Sequence, residues 1–475
     1  MERKVYKNII NGEWVSSENT IEILSPLDNS YLGSIPAMTK LEIDQALDLA
    51  KIGGKKWKEV PLKEKAEMLN NAAKILEQRS EEIAMLLMHE IAKGFNAAQD
   101  EVLRTVSLIR YTVEEGLRMQ GEIINGNAYE KNSNKIAMVQ RVEIGTVLAI
   151  SPFNYPINLT ASKIIPALIA GNSVVLKPPT QGALSALEFV KVLVDSGIPA
   201  GVITSVTGRG SEVGDYLIQH PQIDFINFTG STEVGERIGN VSGVKPLLLE
   251  LGGKDPAIIL PDADLKLAAK EVSKGAFGFS GQRCTAIKRV LLHEEIADEF
   301  IGYLQAEVAL LTVGTPFENA DITPLISVSS VEKAKRLFDD AMSKKAKALT
   351  EFKNEDNLMW PVILDFVTED MDIAWEEPFA PILPILRLSS IEEMIRVTND
   401  SEYGLQAAIF TKNQEHAMEI ASKLDVGTVH INTRTQRGPD NFPFLGIKKS
   451  GTGVQGIRYS IESMSRIQSI VIKTK

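Results

Sequence analysis

The sequence predicts an α/β protein built around two parallel-sheet domains, and three observations carry that prediction. Strand-length apolar runs at 145–150, 173–177, 202–206, 224–228 and 247–251 alternate with segments whose apolar residues recur at helical spacing. Such alternation indicates parallel strands joined by right-handed crossovers. A second alternating region starts near 257–260, with helices near 262–276, 295–311, 330–343, 389–399 and 413–423 and strands near 288–292, 407–411 and 426–431. Finally, 475 residues are ample for more than one domain.

Composition narrows the class further. The apolar fraction of 44% and charged fraction of 24% are ordinary for a globular chain and exclude disordered and fibrous classes. A net charge of −11 argues against a nucleic-acid surface. No apolar run approaches the roughly 18 residues of a membrane span, and the first residues, MERKVYKNIINGEWV, lack the apolar core of an export signal. With one cysteine there is no internal disulfide, so a reducing, cytoplasmic setting is expected. The five histidines are scattered without metal-ligand spacing, and no metal is expected.

In chain order, residues 9–35 alternate polar and apolar pieces around Gly12, Pro26 and Gly33, which reads as strands and turns. Helical spacing runs from Leu62 to Ile91, and a second amphipathic helix covers about 97–119. The polar, turn-rich 121–140 reads as an exposed hairpin or arm. The five strands of the first region follow, each ending in a turn that should carry chemistry, because ligands bind beyond the carboxyl ends of parallel strands. The closing stretch 465–475 reads as a strand, and an unpaired terminal strand is a natural oligomerisation element.

The candidate nucleophile is Cys284, the sole cysteine, in GAFGFSGQRCTAI (275–287). A thiol attacks as its thiolate, so it needs amides, a cation or a base nearby; glycines at 275, 278 and 281 and the cation Arg283 supply a flexible, electropositive setting. Glu250 closes an apolar strand before two glycines, where a carboxylate is paired or used as a base. Asn154, in a proline-bracketed loop, could donate to an oxyanion. Gly230 and Ser231 follow a strand and open a helix, the geometry that offers free amides to a pyrophosphate, although neither GxGxxG nor GK[ST] is present.

Taken together, FNYP (153–156), KPPT (177–180), FTGST (228–232), LELGGK (249–254), GQRC (281–284) and EEPFAP (376–381) occur in the order and approximate spacing of the NAD(P)-dependent aldehyde dehydrogenases. The sequence resembles that family over nearly its whole length. Its likeness is greatest to the branch that oxidises D-glyceraldehyde 3-phosphate with NADP and without inorganic phosphate, most of all over 432–456. The resemblance implies two Rossmann-like domains and a small β oligomerisation arm. It divides the chain into a dinucleotide-binding domain (1–120 and 141–252), a catalytic domain (253–451) and an arm (121–140 and 452–475). It implies a homotetramer. It also implies that Cys284 attacks the aldehyde, Asn154 and the Cys284 amide hold the oxyanion, and Glu250 activates water against the thioester.

The cofactor residues implied are Ser151, Lys177, Thr180, Asp215, Gly230, Ser231 and Glu377. Many NAD-using relatives carry a glutamate at the position of Thr180; a neutral threonine beside Lys177 favours NADP. The substrate residues implied are Arg104, Tyr155, Arg283, Thr285 and Arg437, with the arginines clamping a phosphate. Two alternatives stay open. A succinate-semialdehyde dehydrogenase could turn the same arginines to a carboxylate, and a cysteine hydrolase or thioesterase would need a histidine partner that no motif here supplies.

Overall fold

The computed structural model describes residues 4–131 and 133–474. Its first sheet has six strands, in the spatial order Gly451–Thr452, Leu247–Glu250, Phe225–Thr229, Thr146–Ile150, Ser173–Lys177, Ile203–Ser205. All pairings are parallel except that of the edge pair Gly451–Thr452 with Leu249 and Glu250. Strands buried on both faces explain why the sequence shows continuous apolar runs rather than alternation. Val147 and Ala149 pack into one core with the helices Phe95–Arg118 and Asn158–Ile169, while Leu148 and Ile150 pack on the opposite face against Ile43, Ala46 and Leu47.

The second sheet has seven strands, ordered Lys347–Ala348, Val362–Asp365, Ile382–Leu388, Arg289–His293, Pro256–Ile259, Gln406–Phe410, Thr428–Ile431. It is parallel apart from its first member. A third, antiparallel sheet pairs Ser465–Lys473 with Lys135–Glu143 and that strand with Glu122–Asn125. This is the exposed arm expected at 121–140.

Four features depart from the sequence reading. The helical stretch 62–91 is two helices, Leu62–Gln78 and Ser80–Ile91, hinged at Arg79, whose guanidinium pairs with Glu82 and Glu188. A helix Lys40–Trp57 precedes them, started by a Thr39/Glu42 capping box. Its interior Gly53 is there because a β-carbon would sit 2.2 Å from the backbone of Gly201. The strands Val362–Asp365 and Ile382–Leu388 were not anticipated. Lastly, residues 452–464, grouped with the arm from sequence, do not extend it: Thr452 joins the first sheet, and Ile461 and Met464 lie in the core of the first domain.

Candidate active site

In the first sheet the chain runs outward from Thr146–Ile150 through Ser173–Lys177 to Ile203–Ser205, then returns to Phe225–Thr229 on the other side. The switch of direction leaves a crevice at the carboxyl ends of Thr146–Ile150 and Phe225–Thr229, where ligands bind in such sheets. Ser151, Asn154, Thr229 and Gly230 lie at or just beyond these strand ends, and Glu250 ends the adjacent strand Leu247–Glu250. The second sheet contributes the loop between the helix Leu265–Phe277 and the strand Arg289–His293, which carries Cys284.

That loop is held under strain. Phe279, Ser280 and Gly281 are consecutive left-handed residues, with φ of 51°, 53° and 71°. Two side chains of this kind in sequence persist only where the surroundings over-determine them. Here the Ser280 hydroxyl donates to the Thr323 carbonyl (2.7 Å) and accepts from the Thr323 N–H (2.9 Å). The loop delivers Cys284 half-buried at the cleft. Burial pushes its thiol up to about 11; the Lys288 ammonium works against that push, and Glu250, Glu377 and Asp255 add to it. Lys288 donates to the Cys284 carbonyl and pairs with Glu377 at 3.0 Å, so one buried amine ties the nucleophile's backbone to the EEPFAP turn.

Asn154 is fixed from both sides. Its carbonyl accepts from Lys93 Nζ (3.0 Å), which is itself paired with Glu101 at 2.6 Å in full burial. The second Glu101 oxygen accepts the N–H groups of Ile157 and Asn158 (2.9 and 3.0 Å), capping the helix that follows. The Asn154 side-chain amide donates to the Gln282 carbonyl at 2.8 Å, two residues before Cys284. A carboxamide has two N–H bonds, so this contact orients the group and leaves a second donor.

Glu250 is buried and shared. Its Oε2 accepts from Arg437 Nη1 (2.9 Å) and from the Thr229 hydroxyl (3.2 Å), while its Oε1 is buried without a partner. Lys163 donates to Thr229 Oγ1 at 2.6 Å. Burial lowers the Lys163 amine to about 7, despite the pull of Glu250. Arg437 also donates to Gln455 Oε1 (2.5 Å) and lies over the Phe444 ring.

Of the residues implied for the cofactor, Lys177 ends its strand buried, with the Pro178 carbonyl as acceptor at 2.9 Å; burial lowers its amine to about 8. Thr180 sits half-buried in the same loop. The helix just beyond, Ala183–Asp195, does not offer its N-terminus to a phosphate, because Glu90 already accepts from the N–H groups of Gly182, Leu184 and Ser185. The helix Thr232–Val241 does: it opens at Gly230 and is capped by Ser231. Glu377 accepts the Gly253 N–H at 3.2 Å. Ser151 turns inward and accepts from Thr160 at 2.7 Å. The Asp215 carboxylate forms a fork with Arg237 on the neighbouring helix (2.9 and 2.5 Å).

Of the substrate arginines, Arg104 and Arg283 lie within electrostatic reach of Tyr155, while Arg437 lies on Glu250. Each is already engaged. Arg104 forms a two-bond fork with Asp440 (2.9 and 2.7 Å). Arg283 donates to the carbonyls of Gly275 and Gly278, closing the end of the preceding helix. Thr285 is buried, its carbonyl accepting from Thr435 at 2.9 Å. Lys93, Glu101, Lys163 and Lys288 were absent from the sequence reading; Lys163 had a legible signal, a lone lysine in the apolar run ASKIIPALIA. The charged groups that act most on Cys284 are Lys288, Glu250, Glu377 and Asp255.

The aldehyde dehydrogenase family model matches residues 14–470. The chain is 54% identical to the NADP-dependent glyceraldehyde-3-phosphate dehydrogenase of Streptococcus equinus, over 98% of both chains. It is 46% identical to the enzyme of the same name from Triticum aestivum, over 99% of this chain and 96% of that one. The crystal structure of the NADP-dependent glyceraldehyde-3-phosphate dehydrogenase from Bacillus halodurans C-125, complexed with NADP, matches with a TM-score of 0.98 at 50% identity, covering both chains completely.

Proposed function

This chain belongs to the aldehyde dehydrogenase family, and from that premise we infer that it oxidises glyceraldehyde 3-phosphate to 3-phosphoglycerate with NADP, water rather than inorganic phosphate resolving the intermediate. The observation that carries the reading to particular residues is the meeting of Cys284, Asn154 and Glu250 where the ends of the two sheets face each other.

The cleft fits the cofactor. Lys177 is a buried amine with a backbone carbonyl as its bonded acceptor, so it has donors left for a 2′-phosphate, and Thr180 beside it adds no repulsion. Gly230 and Ser231 would receive the pyrophosphate at a helix N-terminus, and Glu377 the nicotinamide ribose. When bound, NADP supplies the hydride acceptor. Cys284 bonds to the aldehyde carbon, and the second Asn154 N–H with the Cys284 amide receives the oxyanion. After oxidation leaves a thioester, Glu250 takes a proton from water, the oxygen bonds to the acyl carbon, and the carbon–sulfur bond breaks. Arg104, Arg283 and Arg437, with Tyr155 and Thr285, would hold the phosphate end.

The apolar residues exposed on Ser465–Lys473 and its neighbours, among them Ile467, Ile470, Val471 and Met138, support self-association into a homotetramer, which sedimentation of the purified enzyme checks. No helix among the described residues is long and apolar enough to cross a membrane. The unpaired cysteine supports a cytoplasmic setting.

One spectrophotometric assay in phosphate-free buffer, crossing NADP and NAD with phosphorylated and unphosphorylated glyceraldehyde, tests the activity. The pair of NADP with glyceraldehyde 3-phosphate should be fastest by a wide margin. Cys284→Ser should lose oxidation while retaining NADP binding. Glu250→Ala should give a burst of NADPH and little further turnover. Sustained turnover by either variant would remove that residue from the chemistry.

A further inference from the structure

One oxygen of the general base is not free in this structure. Glu250 Oε2 is held by Arg437 Nη1 at 2.9 Å, in a pair that is 5% exposed on the acid side and 14% on the arginine side. This is the arginine that the function above assigns to the substrate's phosphate. Both tasks cannot be met by the same N–H groups at once. We propose that Arg437 is a coupling switch: the substrate's phosphate draws the guanidinium off Glu250, so that phosphate recognition releases the base for thioester hydrolysis.

The exchange is chemically one-sided. Arg437 holds Glu250 with one bond and the neutral Gln455 with another (2.5 Å). A phosphate dianion offers more charge and suits a guanidinium's two-pronged geometry better than that split arrangement. Glu250 stays in place when Arg437 leaves, because the Thr229 hydroxyl still donates to it at 3.2 Å while taking a hydrogen bond from Lys163. What is lost is the cation occupying Oε2. The freed carboxylate then accepts a proton from water, the hydroxyl oxygen bonds to the acyl carbon, and sulfur departs with the electrons of the carbon–sulfur bond. Arg104 also reaches this place, its Nη2 lying 3.1 Å from where a β-carbon on Gly438 would stand.

The consequence is a division of labour between steps. An aldehyde without phosphate can still acylate Cys284, because that step does not need Arg437 to move. Its thioester then waits, since the guanidinium remains on Glu250. Discrimination therefore appears in the hydrolysis rate as well as in binding, and Arg437 acts on the chemistry through Glu250 as a positioning residue.

This inference rests on the phosphorylated-substrate reading, and the test separates the two. NADPH burst and steady-state rates are measured for wild type and Arg437→Met with glyceraldehyde 3-phosphate, with glyceraldehyde, and with glyceraldehyde plus phosphite dianion. Wild type on glyceraldehyde should show a burst followed by slow hydrolysis, and phosphite should speed that hydrolysis at least roughly tenfold, the scale of one charge-assisted contact. Arg437→Met should hydrolyse the glyceraldehyde-derived thioester faster than wild type and ignore phosphite, while its kcat/KM for glyceraldehyde 3-phosphate falls. If the variant loses only the phosphorylated substrate, with hydrolysis unchanged and no phosphite response in wild type, Arg437 is a phosphate ligand and the coupling is refuted. If wild type does not distinguish the two aldehydes, the substrate reading itself fails. Phosphite titration of the unaltered enzyme decides the matter even where the variant does not fold.

Discussion

Lys177 is an amine buried at the end of a strand against one backbone carbonyl, and that position costs the free protein stability. Its ordinary value is 10.5, and in the fold burial brings it to about 8. Below pH 8 both folded and unfolded chains carry the proton, and the folded one bears the full cost of burying it. Between 8 and 10.5 the folded chain sheds the proton while the unfolded chain keeps it, so stability rises with pH across that window. The cost at neutral pH is on the order of 3 kcal/mol. Lys177→Met should therefore be more stable than wild type at pH 7, with the gain shrinking to nothing by about pH 10.5 in denaturant titrations. The same variant should bind NADP weakly and without the decline above pH 8 expected of wild type. A variant no more stable at pH 7 would mean that Lys177 has compensating partners in solution. Cys284 and Glu250 were legible in the sequence because their types conflict with their surroundings: a thiol outside any apolar run, a carboxylate ending one. Lys93 and Lys288 were not, because a lysine within a helical or mixed pattern reads as a solvated charge until the fold supplies its buried partner. Which acceptor a given arginine takes was equally hidden, since Asp440 and Glu250 reach Arg104 and Arg437 from far along the chain.

The element most exposed to perturbation is the strained turn before the nucleophile. Gly281 has φ of 71°, and a β-carbon there would stand 2.4 Å from the Ala380 carbonyl oxygen in the EEPFAP turn. Gly281→Ala should cost about 1–3 kcal/mol from the backbone alone. The collision adds to that, because Ala380 belongs to a buried segment. Since the displaced turn carries Glu377, which Lys288 links to the Cys284 carbonyl, cofactor affinity should fall together with melting temperature. Calorimetry and NADP titration of one preparation check both; wild-type affinity in a destabilised variant would show the two loops to be independent. Most strands and helices were legible from period alone, whereas the helix Lys40–Trp57 was masked by paired glycines whose purpose is a contact with another part of the chain.

At the scale of the whole molecule, the two sheets were legible as alternation, but their strand order and the facing of the first sheet's carboxyl ends onto the second sheet's amino ends were not, because neither is written in any local stretch. The edge pair Gly451–Thr452 shows this best: two residues from beyond the last strand of the second sheet complete the first sheet beside Glu250. Synthesis proceeds from the amino end, so the ribosome releases the Lys177 loop and the Ser231 helix long before it releases the neighbour of the Glu250 strand. Arg437, which guards the base, also emerges late. A contact between residues so distant in sequence is slow to close. In refolding from denaturant, NADP binding should return before oxidation does, and simultaneous recovery would count against this order. A nascent chain that has not yet closed this edge thus holds its cofactor surface without a settled hydrolytic base, and can release no acid product until that edge is laid down.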